Sequence, residues 1–419
     1  MSDPSLPQSS PSGQLFTPED FENPYRPGAG HRPPHLAGRS REIADIQTYF
    51  DQETVLCNVV LTGLRGVGKT VLLDQLRQPA TQRGWYWVAT DLSESASVSE
   101  ESLTTRLLAD LAVVTSGFSY TERQPAGPGF TSTVTHTIRR LDFSYLKAVY
   151  ENTPGLVMDK LKAVLELAWS VIQVSGVKTR GIVFAYDEAQ NLADHSAKEQ
   201  YPLSMLLDVF QSIQRRGIPF LLLLTGLPTL FPKLVEARTF AERMFHVVTL
   251  QRLEDSDCRE AIQKPINNYP IHFTPAGVDR ICEVSGGYPY FIQFICRESF
   301  DLVLRNETVD ETRFQSIVAK LDTDFFAGRW ARATDRQRDL MGIISSLPNA
   351  EGEFSVQEIA EASKNSHKKS FSSSHVNQML GSLVAAGLIF KNRHGKYAFA
   401  VPLLSHFILR QTNDQLLEK

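Results

Sequence analysis

One segment of eight residues constrains this chain more than any other. Gly63-Leu64-Arg65-Gly66-Val67-Gly68-Lys69-Thr70 matches the pattern G-x-x-x-x-G-K-T in full. An apolar, β-branched run at 55–62 precedes it and reads as a buried strand. A helical pattern at 71–77 follows it. Strand, glycine-rich loop and helix start form the setting in which this pattern holds phosphate. Gly63, Gly66 and Gly68 let the backbone curl, so that N–H groups of the segment from Arg65 through Val67 to Val71 face phosphate oxygens. The helix N-terminus adds a favourable dipole. Lys69 is placed to reach the β- and γ-phosphates, and the Thr70 hydroxyl to ligate Mg²⁺. The segment therefore points to ATP with Mg²⁺.

A second segment supports the first. Gly181-Ile182-Val183-Phe184-Ala185-Tyr186-Asp187-Glu188 is an apolar strand that ends in two acids. Buried strands seldom end on carboxylates unless something positive sits there. Taken alone, such a pair is as often a polar strand end or a helix cap. Beside a P-loop it reads as a Walker B segment, with Asp187 holding Mg²⁺ through water and Glu188 polarising the attacking water. Thr225 ends the apolar run 221–224. Its hydroxyl either positions water near the γ-phosphate or belongs to a plain strand-end turn, Thr225-Gly226-Leu227-Pro228.

Around these segments strand and helix patterns alternate. Strands are expected at 85–90, 181–186, 219–225 and 246–250, and helices at 39–51, 100–115, 156–174 and 203–215. The fold class is α/β, a P-loop parallel sheet with both faces covered, spanning 36–250. The stretch 117–155, with a Gly/Pro-rich loop at 125–130, is long for a crossover and reads as an insertion. Residues 1–35 are rich in Pro, Ser and Gly. Their first 20 form a tail, and 21–37 an extended arm. After residue 250 the pattern turns helical, at 255–264, 275–285, 289–305 and 311–326, giving a small lid over 251–330. Residues 331–419 show helices at 334–346, 355–363 and 373–387. Short strands at 388–392 and 397–401 follow, joined by the turn Arg393-His394-Gly395-Lys396. Three helices and a hairpin are the winged-helix order.

The net charge of −4 over 419 residues excludes a global field drawing the chain to nucleic acid or an anionic membrane. The distribution is uneven. Residues 331–419 carry 11 Lys+Arg against 8 Asp+Glu, and the first 330 carry a net −7. Lys368, Lys369, Lys391, Arg393 and Lys396 gather near the hairpin. The helix before it offers Ser372, Ser373, Ser374, His375, Asn377 and Gln378 to phosphates or base edges. Duplex DNA is one partner that fits, and a protein-docking role is the other. The four cysteines, Cys57, Cys258, Cys282 and Cys296, show neither zinc spacing nor a disulfide framework, as expected in a reducing cytosol. The N-terminus lacks a signal-peptide pattern. The apolar stretch 161–174 is too short and too polar to span a bilayer. A cytoplasmic location without membrane contact is expected.

These residues resemble the AAA+ ATPases, in particular the branch of origin-recognition-like ATPases and the related STAND signalling ATPases. Leu36-Ala37-Gly38-Arg39 with Glu42 is similar to the box that opens such domains, which implies that Arg39 approaches the adenine. The P-loop and Asp187-Glu188-Ala189-Gln190 follow in order. The segment 238–245 resembles the one carrying an arginine finger, which implies that Arg243 completes a neighbour's ATP site, with Arg238 in reserve. From position alone Arg243 is a surface arginine paired with Glu242 or Glu236. Gly286-Gly287-Tyr288-Pro289-Tyr290-Phe291-Ile292-Gln293 resembles the lid motif, which implies that Pro289 packs near the nucleotide. Without the resemblance these are a turn and core aromatics. Two departures stand out. Pro289 occupies the place where origin-recognition ATPases carry a second sensor arginine, and Thr225 the place where AAA+ proteins often carry Asn. Slow or partner-stimulated hydrolysis follows.

The resemblance implies a homo-oligomer with ATP sites at subunit interfaces, and a protein partner the sequence does not identify. Two functional expectations result. The first is an ATPase that assembles or switches a nucleic-acid-associated or defence complex. The second is a STAND-like nucleotide-gated scaffold with little turnover that contacts proteins only.

Overall fold

Residues 58–63 bury every side chain and form the strand from which the glycine-rich loop departs. The structure, a computed structural model, describes residues 22–28, 30–124, 135–305, 307–364, 370–393 and 395–417. The tail at 1–20, the loop at 125–130, Lys368, Lys369 and His394 lie outside them. The chain forms two units.

One unit comprises residues 41–62 and 72–249. Its strands are β1 (Asn58–Gly63), β2 (Trp85–Asp91), β3 (Ser119–Gln124), β4 (Thr135–Arg140), β5 (Gly181–Asp187), β6 (Phe220–Gly226) and β7 (Phe245–Leu250). Five make a parallel sheet in the order β2-β5-β6-β1-β7. In β5 and β6 every residue is buried, as strands covered on both faces require. The residues alternate by face. Val60, Val88, Phe184, Tyr186, Leu222 and Leu224 join one core with the helices Glu100–Thr115, Val157–Val174 and Pro202–Arg215. Phe184 lies 5.3 Å from Phe210 and 5.6 Å from Phe220, edge to face. Each such ring contributes roughly 1.5–3 kcal/mol by leaving water. On the opposite face Trp87 meets Phe50 at 6.3 Å, and the Trp85 indole donates to the Phe50 carbonyl.

The stretch 117–155 is less of an appendage than its composition indicates. β3 and β4 pair as an antiparallel hairpin. The following helix, Phe143–Asn152, is capped by Asp142 and sends Leu146 and Tyr150 into the main core. The Tyr150 hydroxyl donates to Glu101 at 2.9 Å.

The other unit comprises the residues up to 40, residues 63–71 and those from 250 on. Its helices Asp255–Gln263, Pro275–Ser285, Pro289–Leu304 and Glu311–Leu321 enclose Ile281, Ile292, Ile295 and Phe300. The expected helix at 311–326 is interrupted: its α-helical part ends at Leu321, and Asp322–Ala327 is a π-helical turn leading into Gly328–Trp330. The helices Asp335–Ser345, Val356–Lys364 and Ser373–Ala385 follow. β8 (Phe354–Ser355), β9 (Ile389–Arg393) and β10 (Lys396–Phe399) form an antiparallel sheet in the order β8-β10-β9. A last helix, Leu404–Leu417, packs Phe407 on Phe326 with stacked rings 5.2 Å apart, and Arg410 pairs with Asp322.

The arm belongs to this core. Tyr25 is fully buried, edge-on to Phe273 and Phe300 at 6.1 Å, and its hydroxyl donates to the Ile262 carbonyl. Asn23 donates to the Arg297 carbonyl and to Asp301, and Arg297 donates to the Tyr25 carbonyl. Among the described residues no helix is long and apolar enough to cross a membrane, and all four cysteines are free.

Candidate nucleotide site

The loop after β1 has the backbone its glycines predict. Gly66 and Gly68 adopt φ of 79° and 92°, which side-chain-bearing residues rarely tolerate. Lys69 opens the helix Lys69–Gln82 and is 9 % exposed. Its ammonium donates to the carbonyls of Gly63 and Leu64, both at 2.9 Å, so the cation stands inside the loop. Thr70 follows in the first helical turn, and Val67 is buried.

Two further elements of the same unit hold the loop. Arg39 is 4 % exposed, and its guanidinium donates to the Val67 carbonyl at 3.1 Å and the Gln251 carbonyl at 2.8 Å. These bonds make Arg39 a brace for the loop backbone. Pro289 is the first residue of its helix, where a missing N–H costs nothing. The next residue, Tyr290, donates its N–H to the Gly66 carbonyl at 3.2 Å. The turn before it is tightly set: Gly287 has φ 75°, and a Cβ there would lie 2.4 Å from the Leu253 carbonyl oxygen.

The sheet carries the second set of residues. Asp187 ends β5 and is 4 % exposed, and one carboxylate oxygen accepts the Glu188 N–H at 2.8 Å. Glu188 is exposed and sits at φ 52°, ψ 32°. A left-handed backbone costs a glutamate about 1–3 kcal/mol, and Glu199 and Leu403 adopt the same region at φ 53° and 57°. Gln190 donates to the Glu188 carboxylate and accepts from the Leu227 N–H at 3.1 Å. It thereby ties the acid to the turn after β6, a link that spacing alone does not reveal.

Thr225 is fully buried on β6. Register pairs Leu61 with Thr225 and Tyr186 with Leu224, so Thr225 and Asp187 fall on one face of neighbouring strands. Among the described residues the Thr225 hydroxyl has no hydrogen-bond partner, and neither has that of Thr62 at the end of β1. An orphaned buried hydroxyl costs about 1–3 kcal/mol, so that of Thr225, beside Asp187, fits a site that takes a polar ligand or water, whereas Thr62 lies on the other face of the sheet with Val60. Asp74 lies within reach of this acidic edge. Burial, then the charges of Asp187 and Asp91, push its carboxyl above the usual range. These oxygen donors suit a hard cation such as Mg²⁺, and no group of three or more metal-ligating side chains exists among the described residues.

Arg243 lies in the short helix Ala241–Met244, exposed and without an ion pair to Glu242 or Glu236. Arg238, by contrast, is engaged. Its guanidinium forms a bidentate pair with Asp208 at 2.7–3.1 Å and also donates to Ser204.

In the C-terminal part the helix Ser373–Ala385 turns Ser373, Ser374, His375, Asn377 and Gln378 outward and buries Val376, Met379 and Leu380. Ser372 is its N-cap and accepts the His375 N–H. Two hairpin cations are paired, Arg393 with Glu353 at 2.7 Å and Lys396 with Glu358 at 3.2 Å. Lys391 is exposed.

Comparison with known proteins agrees with this geometry. The AAA ATPase domain family matches residues 35–235, and a domain of unknown function, DUF8462, matches residues 323–408. No curated protein matches the chain. Among solved structures, the Walker-type ATPase paby2304 of Pyrococcus abyssi is similar at a TM-score of 0.55 and 14 % identity, over 90 % of this chain and 97 % of that one. The Aeropyrum pernix ORC2 protein in its ADP form gives 0.53 and 13 %, over 95 % and 99 %. Its ADPNP-ADP complexes give 0.52 and 12 %, over 93 % and 98 %. At these identities the likeness concerns the fold. Residues 35–235 match the AAA ATPase domain family, and the chain has the fold of the P-loop AAA+ ATPases, continued by a helical C-terminal region.

Proposed function

We propose that this chain binds ATP with Mg²⁺, hydrolyses it slowly, and uses the cycle to assemble or switch a larger complex. The observation that supports this most is the conjunction of a complete phosphate loop with a strained glutamate directly after the acid that ends β5. In this reading the N–H groups around Arg65, Gly66, Val67, Gly68 and Val71 hold the phosphates, and Lys69 neutralises them. Thr70 and Asp187 would hold Mg²⁺, directly and through water. When bound, the ion supplies positive charge to the phosphate oxygens. Glu188 takes the proton of the attacking water, and Gln190 holds the carboxylate in place. The Thr225 hydroxyl orients that water. Arg39 and Pro289 keep the loop and the lid turn in register.

The domains in this reading are an arm up to residue 35, an ATPase domain at 36–250, a lid at 251–330 and a winged helix at 331–419. Three helices with a three-stranded sheet support the last assignment. The complex is nucleic-acid-associated or defensive, and the winged helix is its docking element. A protein-only docking surface is the second reading, favoured by the pairing of Arg393 and Lys396 with glutamates. The two are separated by replacing Lys391, Arg393 and Lys396 with Glu. Duplex binding predicts a weaker affinity and a log K against log salt slope that falls by about 0.9 for each phosphate no longer neutralised. An unchanged slope assigns the surface to protein.

Assembly tests the proposal as a whole. Arg243 is exposed and forms no ion pair with a described residue, as a group acting on another copy must be. Arg243→Ala is expected to bind ATP normally and to hydrolyse it about 10³-fold more slowly, because a finger stabilises charge that develops in the transition state. Mixing it with Lys69→Ala protein should restore part of the activity. Sedimentation should show more self-association with ATP than with ADP. A monomer that retains full ATPase activity rules the shared site out.

A further inference from the structure

Behind the proposed base stands a cation that the nucleotide reading leaves unused. Lys233 lies on the helix Leu230–Ala237, which follows the turn after β6. It is half-buried, and burial pushes its ammonium below the usual lysine range, against the charges of Asp194 and Glu236. A cation taken out of water needs an acceptor close by. Neither acid is that acceptor. Among the described residues Lys233 forms no ion pair, and Asp194 accepts instead from the N–H and the hydroxyl of Ser204. The ammonium donates to the Gln190 carbonyl at 2.8 Å.

Gln190 is the residue whose side chain grips Glu188. Its amide N–H donates to the Glu188 carboxylate, and its amide oxygen accepts the Leu227 N–H at 3.1 Å. The fit is close: a Cβ at Gly226 would stand 2.6 Å from that oxygen. The same turn is pinned from its other side. Asn191 donates its side-chain amide to the Leu92 carbonyl at 2.9 Å, and its backbone N–H to the Glu188 carbonyl at 2.9 Å. Glu188 meanwhile holds a left-handed backbone at φ 52°. Such a conformation persists only where the surroundings over-determine it. Asn191 supplies one constraint and Lys233 another. The carbonyl and the side chain of Gln190 leave the same Cα, so a shift of the carbonyl carries the amide away from Glu188.

We propose that Lys233 positions Glu188 for hydrolysis by fixing the Gln190 carbonyl, so that the helix after β6 sets the place of the base. This rests on the reading of Glu188 as the base. Lys233 is a positioning residue: it acts through Gln190 and takes no proton.

Steady-state hydrolysis and equilibrium ATP binding, both on the full chain, test the proposal. Lys233→Met keeps the apolar stem and removes the donor. It is expected to lower kcat about 10–100-fold, the order of loss that a misplacement of about 1 Å produces, and to leave ATP affinity within about twofold. Lys233→Arg keeps a donor and should retain most of the turnover. Lys233→Gln, polar but too short for the carbonyl, should show the methionine loss and replaces that variant if it does not fold. The decisive readout is non-additivity. In a Gln190→Ala background, and again in Glu188→Gln, Lys233→Met should cost no further turnover, because residues that act through one another do not add. Wild-type kcat in the Lys233 variants, an equal loss of turnover and ATP affinity, or additive losses in the double variants each overturn the proposal. Glu188→Gln alone is the separate control. If it turns over at the wild-type rate, the base reading fails and not merely the Lys233 assignment.

Discussion

Lys69→Ala should abolish measurable ATP binding. The ammonium stands inside the loop, 2.9 Å from two of its carbonyls, and is 9 % exposed. In the proposed site it is the main cation for two phosphates. Hydrogen bonds to charged groups contribute about 1.5–3 kcal/mol each. Losing two therefore costs about 3–6 kcal/mol, or roughly 10²–10⁴-fold in affinity. The alanine side chain also leaves the two loop carbonyls without this donor, so the loop itself loosens. Titration of a fluorescent ATP analogue against wild type and variant measures the effect. Equal affinity would mean that the loop holds something other than nucleotide phosphate.

Glu188→Gln should separate binding from turnover. The amide matches the carboxylate in shape, and the left-handed backbone at φ 52° is equally strained for either side chain. Stability and ATP affinity should therefore stay near those of wild type. Turnover should fall by about 10²–10⁴-fold, because an amide cannot accept the proton of the attacking water. Single-turnover hydrolysis beside equilibrium binding checks both halves. Wild-type turnover would move the base elsewhere, with Glu199 and Asp208 as the next candidates. Asp208 is already tied to Arg238, which weakens its claim.

How much of this is legible in the sequence depends on the range of the interactions involved. β1, β5 and β6 fall within a few residues of expectation, because fully buried strands leave continuous apolar runs between glycine and acid boundaries. The helix Glu100–Thr115 falls on its expected bounds, with Ser99 as its cap. β3 and β4 leave no such trace. Their sequences are polar and Arg-rich, and backbone pairing defines them. The π-helical turn at Asp322–Ala327 shares the spacing of an α-helix closely enough to read as its continuation. The helix Leu404–Leu417 escapes a sequence reading because its apolar positions acquire meaning only from Asp335–Ser345 and Phe326, far away along the chain. In the candidate site the motif residues are readable and their supports are not. The bonds of Gln190 to Glu188 and of Arg39 to Val67 are tertiary facts.

The arm has a mechanical consequence. Asn23 and Tyr25 fasten the chain to Arg297 and Asp301, on the same helix whose first turn meets Gly66. Removing the Tyr25 ring would cost about 3–5 kcal/mol, as for other large buried side chains. The fastening therefore resists load. The arm and the phosphate loop thus share one support, the helix Pro289–Leu304, which holds Asn23 and Tyr25 near its C-terminal half and Gly66 at its first turn.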